Sequence, residues 1–85
     1  MTQMISHYSF ADYAKFKAAY DDHAEDRGNN GLSLLQLWRE SGTSAWALYQ
    51  VNDAKAAKDY LSGAAGVFNS LAGVSAVEIH LVETA

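Results

Sequence analysis

The stretch Leu32-Ser33-Leu34-Leu35-Gln36-Leu37-Trp38-Arg39-Glu40-Ser41-Gly42-Thr43-Ser44-Ala45-Trp46-Ala47-Leu48-Tyr49-Gln50-Val51 decides the architecture. Residues 32–40 and 43–51 are rich in leucine, branched and aromatic side chains, and the Ser41-Gly42 pair between them suits a tight primed turn. The two runs therefore read as a β-hairpin. With Ser41 and Gly42 as the turn, Trp38 falls opposite Ala45, Leu37 opposite Trp46, Leu35 opposite Leu48 and Leu34 opposite Tyr49. One face of the ribbon then carries Leu32, Leu34, Trp38, Ala45, Ala47, Tyr49 and Val51, and the other carries Leu35, Leu37, Trp46 and Leu48. Both faces are apolar, whereas an antiparallel sheet covered on one side normally leaves the other polar. Leaving the second set in water forfeits roughly 1.5 to 3 kcal/mol per large side chain, a sum comparable to the stability of a small domain. The pattern predicts a second copy of the chain on the free face, two sheets packed about a two-fold axis with room for a cavity between them.

Working outward, residues 4–9 read as a first strand. Residues 11–25 place Tyr13, Phe16, Tyr20 and Ala24 at helical spacing, with Lys15, Asp22 and Glu25 on the other side. Asp26-Arg27-Gly28-Asn29-Asn30-Gly31 is dense in turn formers and is expected to end that helix in a loop. Beyond the hairpin, Asn52 or Asp53 can cap a second helix over residues 54–64, with Ala57, Leu61 and Ala64 on its apolar side. Residues 67–71 fit one further helical turn, Ala72-Gly73 breaks it, and residues 74–83 read as the last strand. The order is β-α-β-β-α-β, a ferredoxin-like α+β domain covering residues 1–85 with a four-stranded antiparallel sheet, expected to pair into a dimeric α+β barrel.

Composition narrows the classes. Eighty-five residues bury only about 60 to 65% of the unfolded surface, and the chain has no cysteine, so disulfides, thiolate metal sites and a cysteine nucleophile are excluded. Oligomerisation is the remaining way to supplement a thin core. At 49% hydrophobic the chain is globular, and its apolar runs are too short to span a bilayer. The stretch Met1-Thr2-Gln3-Met4-Ile5-Ser6-His7 has neither a basic nor a continuous apolar segment, so no secretory signal is read and the cytoplasm is the expected location. A formal net charge of -4 with no basic stripe argues against nucleic acid as a partner.

Phe16, Tyr20, His23 and Arg27 are spaced four, three and four apart, so one stripe runs from aromatic residues to an imidazole and a guanidinium. His23 and Arg27 are the candidate catalytic pair, a proton handler beside an anion holder, with capping of the last helical carbonyls or pairing with an acidic neighbour as the plainer role. Trp38, Trp46 and Tyr49 on the hairpin, with Tyr8 and His7 on the first strand, are the candidate ligand-binding residues for an aromatic or apolar molecule. Packing of the tryptophans in a dimer core is the alternative. Ser6, Gln36, Arg39 and Gln50 are polar strand positions, and those pointing inward would orient a ligand. His7 and His80 fall on neighbouring strands, but their spacing matches no metal motif, and no cofactor or metal is expected. Gly63 and Gly66 lack the strand-glycine-helix context of a phosphate loop, and no serine sits in a nucleophile elbow.

Asp12-Tyr13, Phe16-Lys17, Tyr20-Asp21, His23, Arg27 and Gly31, with Asp53, Ala72-Gly73-Val74 and Glu78, resemble small dimeric α+β barrel proteins related in fold to the antibiotic-biosynthesis monooxygenases. The resemblance spans most of the chain and implies a ferredoxin-like dimer. Phe16 stands where such proteins often have tryptophan, and no catalytic signature is matched. The superfamily mixes oxygenases, haem-degrading enzymes, decarboxylases and isomerases, so the activity must come from the site. Two functions fit the residues: a cofactor-independent oxygenase- or isomerase-like enzyme acting on a small aromatic molecule, and a non-catalytic dimeric ligand-binding or interaction module.

Overall fold

In the computed structural model, which describes residues 2–64 and 66–85, the hairpin is built from β2 (Leu32–Ser41) and β3 (Ser44–Val51). Its turn is Gly42-Thr43 and not Ser41-Gly42, because Ser41 pairs with Ser44. The Ser41 hydroxyl accepts from the Thr43 N–H at 3.1 Å and bonds the Ser44 hydroxyl at 2.9 Å, so a serine turn displaces the glycine turn by one residue. Register shifts at Leu35 and Glu40 leave each of these residues without a partner on β3, and each shift inverts the alternation of sides. Between the two shifts Gln36 faces Leu48, Leu37 faces Ala47, Trp38 faces Trp46 and Arg39 faces Ala45. The expected assignments of Leu35, Leu37 and Trp38 are therefore corrected: Leu37 turns toward the helices and Trp38 toward the open side. Leu34 opposite Tyr49 stands as expected.

Strand β1 (Thr2–Phe10) runs longer than its apolar pattern, and β4 (Val74–Glu83) matches its expected bounds. All pairings are antiparallel in the order β2-β3-β1-β4, the ferredoxin-like sheet. The first helical segment is not one helix ending at Glu25. It divides at His23 into α1 (Tyr13–Asp22) and α2 (Ala24–Asn29), so Asp26 and Arg27 lie on a helix and not in a loop. The His23 main-chain N–H and ring Nδ1 both reach the Ala19 carbonyl, at 3.2 and 2.9 Å, and this doubled contact holds the break. Asp12 caps α1 through the Ala14 N–H at 2.9 Å, and Gly31, with φ of 81°, supplies the left-handed residue that turns α2 into β2.

The second helical segment is also divided. Asp53 caps α3 (Ala54–Asp59) by accepting from the Lys55 and Ala56 N–H groups, after which the chain widens into a π turn over Tyr60–Ala64 that contains Gly63. Ala57 and Leu61 are buried as their spacing predicts, while the Ala64 side chain lies outside the described set. Helix α4 (Gly66–Ala72) follows and ends at Gly73, whose φ is 70°.

The helices cover one sheet face. Met4, Ser6, Tyr8 and Phe10 from β1 and Ala45, Ala47, Tyr49 and Val51 from β3 are buried beneath Phe16, Tyr20, Tyr60, Leu61 and Phe68. Ser6, Ala45 and Ala47 keep the middle of this face shallow, and the tyrosines lean into the space. The opposite face, which carries Ile5, His7, Trp38, Trp46 and Leu48 by register, has no described helix over it. No described helix is long and apolar enough to cross a membrane.

Candidate functional site

Alternation along β1 and β3 sends Tyr8 and Tyr49 to the helix side, and Tyr20 descends on them from α1 one turn after Phe16. Their hydroxyls form a chain: Tyr8 to Tyr49 at 2.9 Å and Tyr49 to Tyr20 at 2.6 Å. Phe68 closes it from α4, with ring centroids 6.2 Å from Tyr8 and 6.0 Å from Tyr20. Burial pushes the Tyr8 hydroxyl well above the usual tyrosine range, with the Tyr20 hydroxyl adding to the effect. Tyr49 is pushed well up by burial and then by both neighbours, and Tyr20 is raised by burial against the pull of the Arg27 charge. These are neutral hydrogen-bond donors at any ordinary pH, not bases.

Arg27, two helical turns beyond Tyr20, lays its guanidinium over the Tyr20 ring at 3.5 Å from the centroid. Arg27 is only 6% exposed, and its Nη1 is buried without a hydrogen-bond partner among the described residues. The same is true of the Ser6 hydroxyl, which sits on β1 one inward position before Tyr8. The neighbouring Asp26 carboxylate is turned instead to the Tyr60 hydroxyl, 2.6 Å away; Tyr60 is raised first by burial and then by this bond.

The candidate residues therefore divide. Arg27 and Tyr49 meet in the helix-side interior, joined through Tyr20. His23 stands at its edge: its ring packs against Phe68 at 5.5 Å, and Nδ1 must carry the proton it gives to the Ala19 carbonyl, which leaves Nε2 as the basic nitrogen. It contributes the cap that the plainer reading expected as well. His7, Trp38 and Trp46 lie on the open face, away from Tyr49 and Tyr8. His7 stacks on Trp46 at 4.3 Å and its Nε2 donates to Glu40 at 3.1 Å. Glu40 is drawn down to about 2 by the Trp46 indole N–H, then by the Ser44 hydroxyl at 2.7 Å and by His7. Sequence spacing could not find this network, since it depends on the register shift that frees Glu40 from the ladder. The Tyr60–Asp26 link was missed for a similar reason: the two residues are 34 positions apart. Among the other polar strand positions, Ser6 points inward, Arg39 reaches the Tyr13 ring at 4.3 Å, and Gln36 and Gln50 fall on the open face.

A cleft of about 240 Å³ opens between the π turn, α4 and β4, lined by Leu61, Ser62, Asn69, Val74, Ser75, Ala76, Val77 and Ile79. Val77 and Ile79 are the cross-strand neighbours of Tyr8 and Ser6, so the cleft floor adjoins the hydroxyl cluster. Among the described residues no group of three or more acidic or imidazole side chains is placed to hold a metal ion.

No family model and no curated protein matches the chain. Solved structures do. A variant of SnoaB, a cofactor-independent oxygenase from Streptomyces nogalater, superposes with a TM-score of 0.71 at 18% identity, over 98% of this chain and 91% of that one. An uncharacterized NIPSNAP domain protein from Burkholderia xenovorans gives 0.68 at 16% identity, over 100% and 95%. An antibiotic biosynthesis monooxygenase gives 0.67 at 12% identity, over 100% and 99%. At these identities the likeness is one of fold: the chain has the ferredoxin-like fold of the antibiotic-biosynthesis monooxygenase-like proteins, as its resemblance implied.

Proposed function

We propose that the protein is a homodimeric, monooxygenase-like enzyme that acts without a cofactor on a small hydroxylated aromatic molecule, bound on the helix side of each sheet. The observation that carries this reading is the chain of three buried tyrosine hydroxyls beneath the helices. Neutral donors held in a dry site stabilise negative charge developing on a substrate oxygen. His23 Nε2, at the edge of the cluster, is the group we assign to remove the substrate proton. The substrate then supplies the electrons that reduce dioxygen: a CH2 carbon becomes a carbonyl, and the second oxygen atom leaves as water.

The homodimer rests on the open face. Ile5, Trp46 and Leu48 are only half-buried there and Trp38 is 48% exposed, which is apolar area that a second sheet would cover. The competing reading is a binding module without turnover. It is favoured by the tight packing of the interior, where Phe10 and Phe16 stack at 4.3 Å and the cleft lies beside the hydroxyls and not over them.

The test is oxygen uptake with a panel of hydroxynaphthalenes and hydroxyanthrones, following substrate loss in parallel. Uptake matched mole for mole to oxidised product, and lowered at least tenfold by Tyr49→Phe and by His23→Gln, is the expected result. Binding of the panel with no uptake overturns the catalytic reading and leaves the binding module.

A further inference from the structure

The interior cluster leaves hydrogen-bond donors unmet. Three tyrosine hydroxyls joined by two hydrogen bonds use two of their three protons, so one O–H at an end of the chain has no acceptor within it. Arg27 Nη1, buried and without a hydrogen-bond partner among the described residues, lies over the Tyr20 ring, and the buried Ser6 hydroxyl stands beside Tyr8 on β1, where its pull on the Tyr8 hydroxyl stands in for a hydrogen bond of ordinary geometry. Arg27 makes no ion pair among the described residues, and the nearest acid in sequence, Asp26, serves Tyr60. The result is an enclosed positive charge with surplus hydrogen-bond donors around it. Its contact with the Tyr20 ring offsets part of the cost of burying that charge, but satisfies none of its N–H groups.

We propose that this cluster is a receptor for an oxyanion. Arg27, Ser6 and the tyrosine hydroxyls receive the charged oxygen of a small one-ring acid, a carboxylate or a phenolate, whose ring lies in the cleft against Leu61, Val77 and Ile79. The cleft carries no charged side chain: Leu61, Val77 and Ile79 give the ring its apolar contacts, Ser62, Asn69 and Ser75 make the rest of the lining polar, and the charge is left to Arg27. Entry from this side brings the ligand to the β1 end of the hydroxyl chain, since Ile79 and Val77 flank Ser6 and Tyr8 in register. This inference rests on the interior being the site, as proposed above, and it adds the charge class of the ligand and the residue that selects it.

The experiment uses the intact chain and calorimetric titration with benzoate and with benzamide, its neutral counterpart of nearly the same shape. Benzoate is expected to bind at least tenfold more tightly, and Arg27→Met, which keeps length and removes charge, is expected to abolish that preference while Arg27→Lys retains part of it. Para-nitrophenol tests the phenolate arm: the yellow anion is expected to form at a pH at least one unit lower when bound, a tenfold shift in its ionisation. A phenolate shift without benzoate binding, or the reverse, identifies which oxyanion the site takes. Equal affinities for benzoate and benzamide in the wild-type chain, together with an unshifted nitrophenol, overturn the proposal without recourse to any variant. Oxygen uptake in a chain that shows no anion preference would sink this inference and spare the catalytic reading; anion binding without uptake would do the opposite.

Discussion

Tyr49→Phe is expected to be among the most damaging conservative changes available in this chain, although it removes one oxygen atom and almost no volume. Tyr49 is the middle of the hydroxyl chain, bonded to Tyr8 at 2.9 Å and to Tyr20 at 2.6 Å. Without it two hydroxyls in the core lose their partner, and an orphaned buried hydroxyl costs about 1 to 3 kcal/mol, so the variant is expected to lose about 2 to 6 kcal/mol. Tyr8→Phe removes an end of the chain and leaves Tyr49 still bonded to Tyr20, so a loss of about 0.5 to 1.5 kcal/mol is expected. Replacing all three tyrosines by phenylalanine at once should cost less than the sum of the single changes, because no orphan remains. Urea unfolding followed by circular dichroism, at a fixed protein concentration for all variants, measures each difference. A Tyr49→Phe chain no less stable than Tyr8→Phe would refute the claim that the hydroxyls act as one chain.

Alkaline pH probes the same cluster in the wild-type chain. Burial raises the Tyr8, Tyr20 and Tyr49 hydroxyls above the ordinary tyrosine pKa of about 10, so their contribution is intact below pH 10 and is lost as pH rises, at about 1.4 kcal/mol per tyrosine per pH unit. Cooperative unfolding with simultaneous tyrosinate absorbance is expected between about pH 10 and 11; early tyrosinate formation in a still-folded chain would contradict it. Glu40, whose carboxyl is lowered from 4.5 to about 2, contributes above pH 4.5 and loses that contribution as pH falls toward 2. Glu40→Gln should therefore be less stable than wild type near neutrality, with the gap closing in acid-unfolding curves over that window. Leu48→Asp on the open face is expected to dissociate the proposed dimer in light scattering and to lower stability together, and an unaltered mass at micromolar concentration would count against face-to-face pairing. Asp53→Ala removes a cap with two N–H partners and should cost about 1 kcal/mol in thermal unfolding.

The order of elements, the last strand and the burial of Phe16, Tyr20 and Leu61 were legible because period and burial agree along those segments. The hairpin register was not. Its turn depends on whether Ser41 or Gly42 opens it, and the hydroxyl of Ser41 decided a competition that glycine statistics favour the other way. Each register shift in β2 then inverted the sides of the residues beyond it, which is why Trp38 was read on the wrong face while Leu34, before the first shift, was read correctly. The helix interruptions were hidden for a different reason: the chain keeps its apolar spacing through His23 and Tyr60 while the main-chain hydrogen bonds change. In the site, the stripe from Tyr20 to Arg27 was visible as spacing, but its meeting with Tyr49 and Tyr8 joins three distant segments and needed the sheet order first.

The inverted stretch of β2 also sorts the chain's chromophores. Both tryptophans stand opposite each other on the open face, while Tyr8, Tyr20 and Tyr49 lie together on the helix side. Light absorbed at the red edge, where indole absorbs and neutral phenol does not, thus reports on the open side of the sheet alone. The proposed pairing of two sheets would therefore register in indole emission of the unlabelled protein, without a reporter attached to the open face.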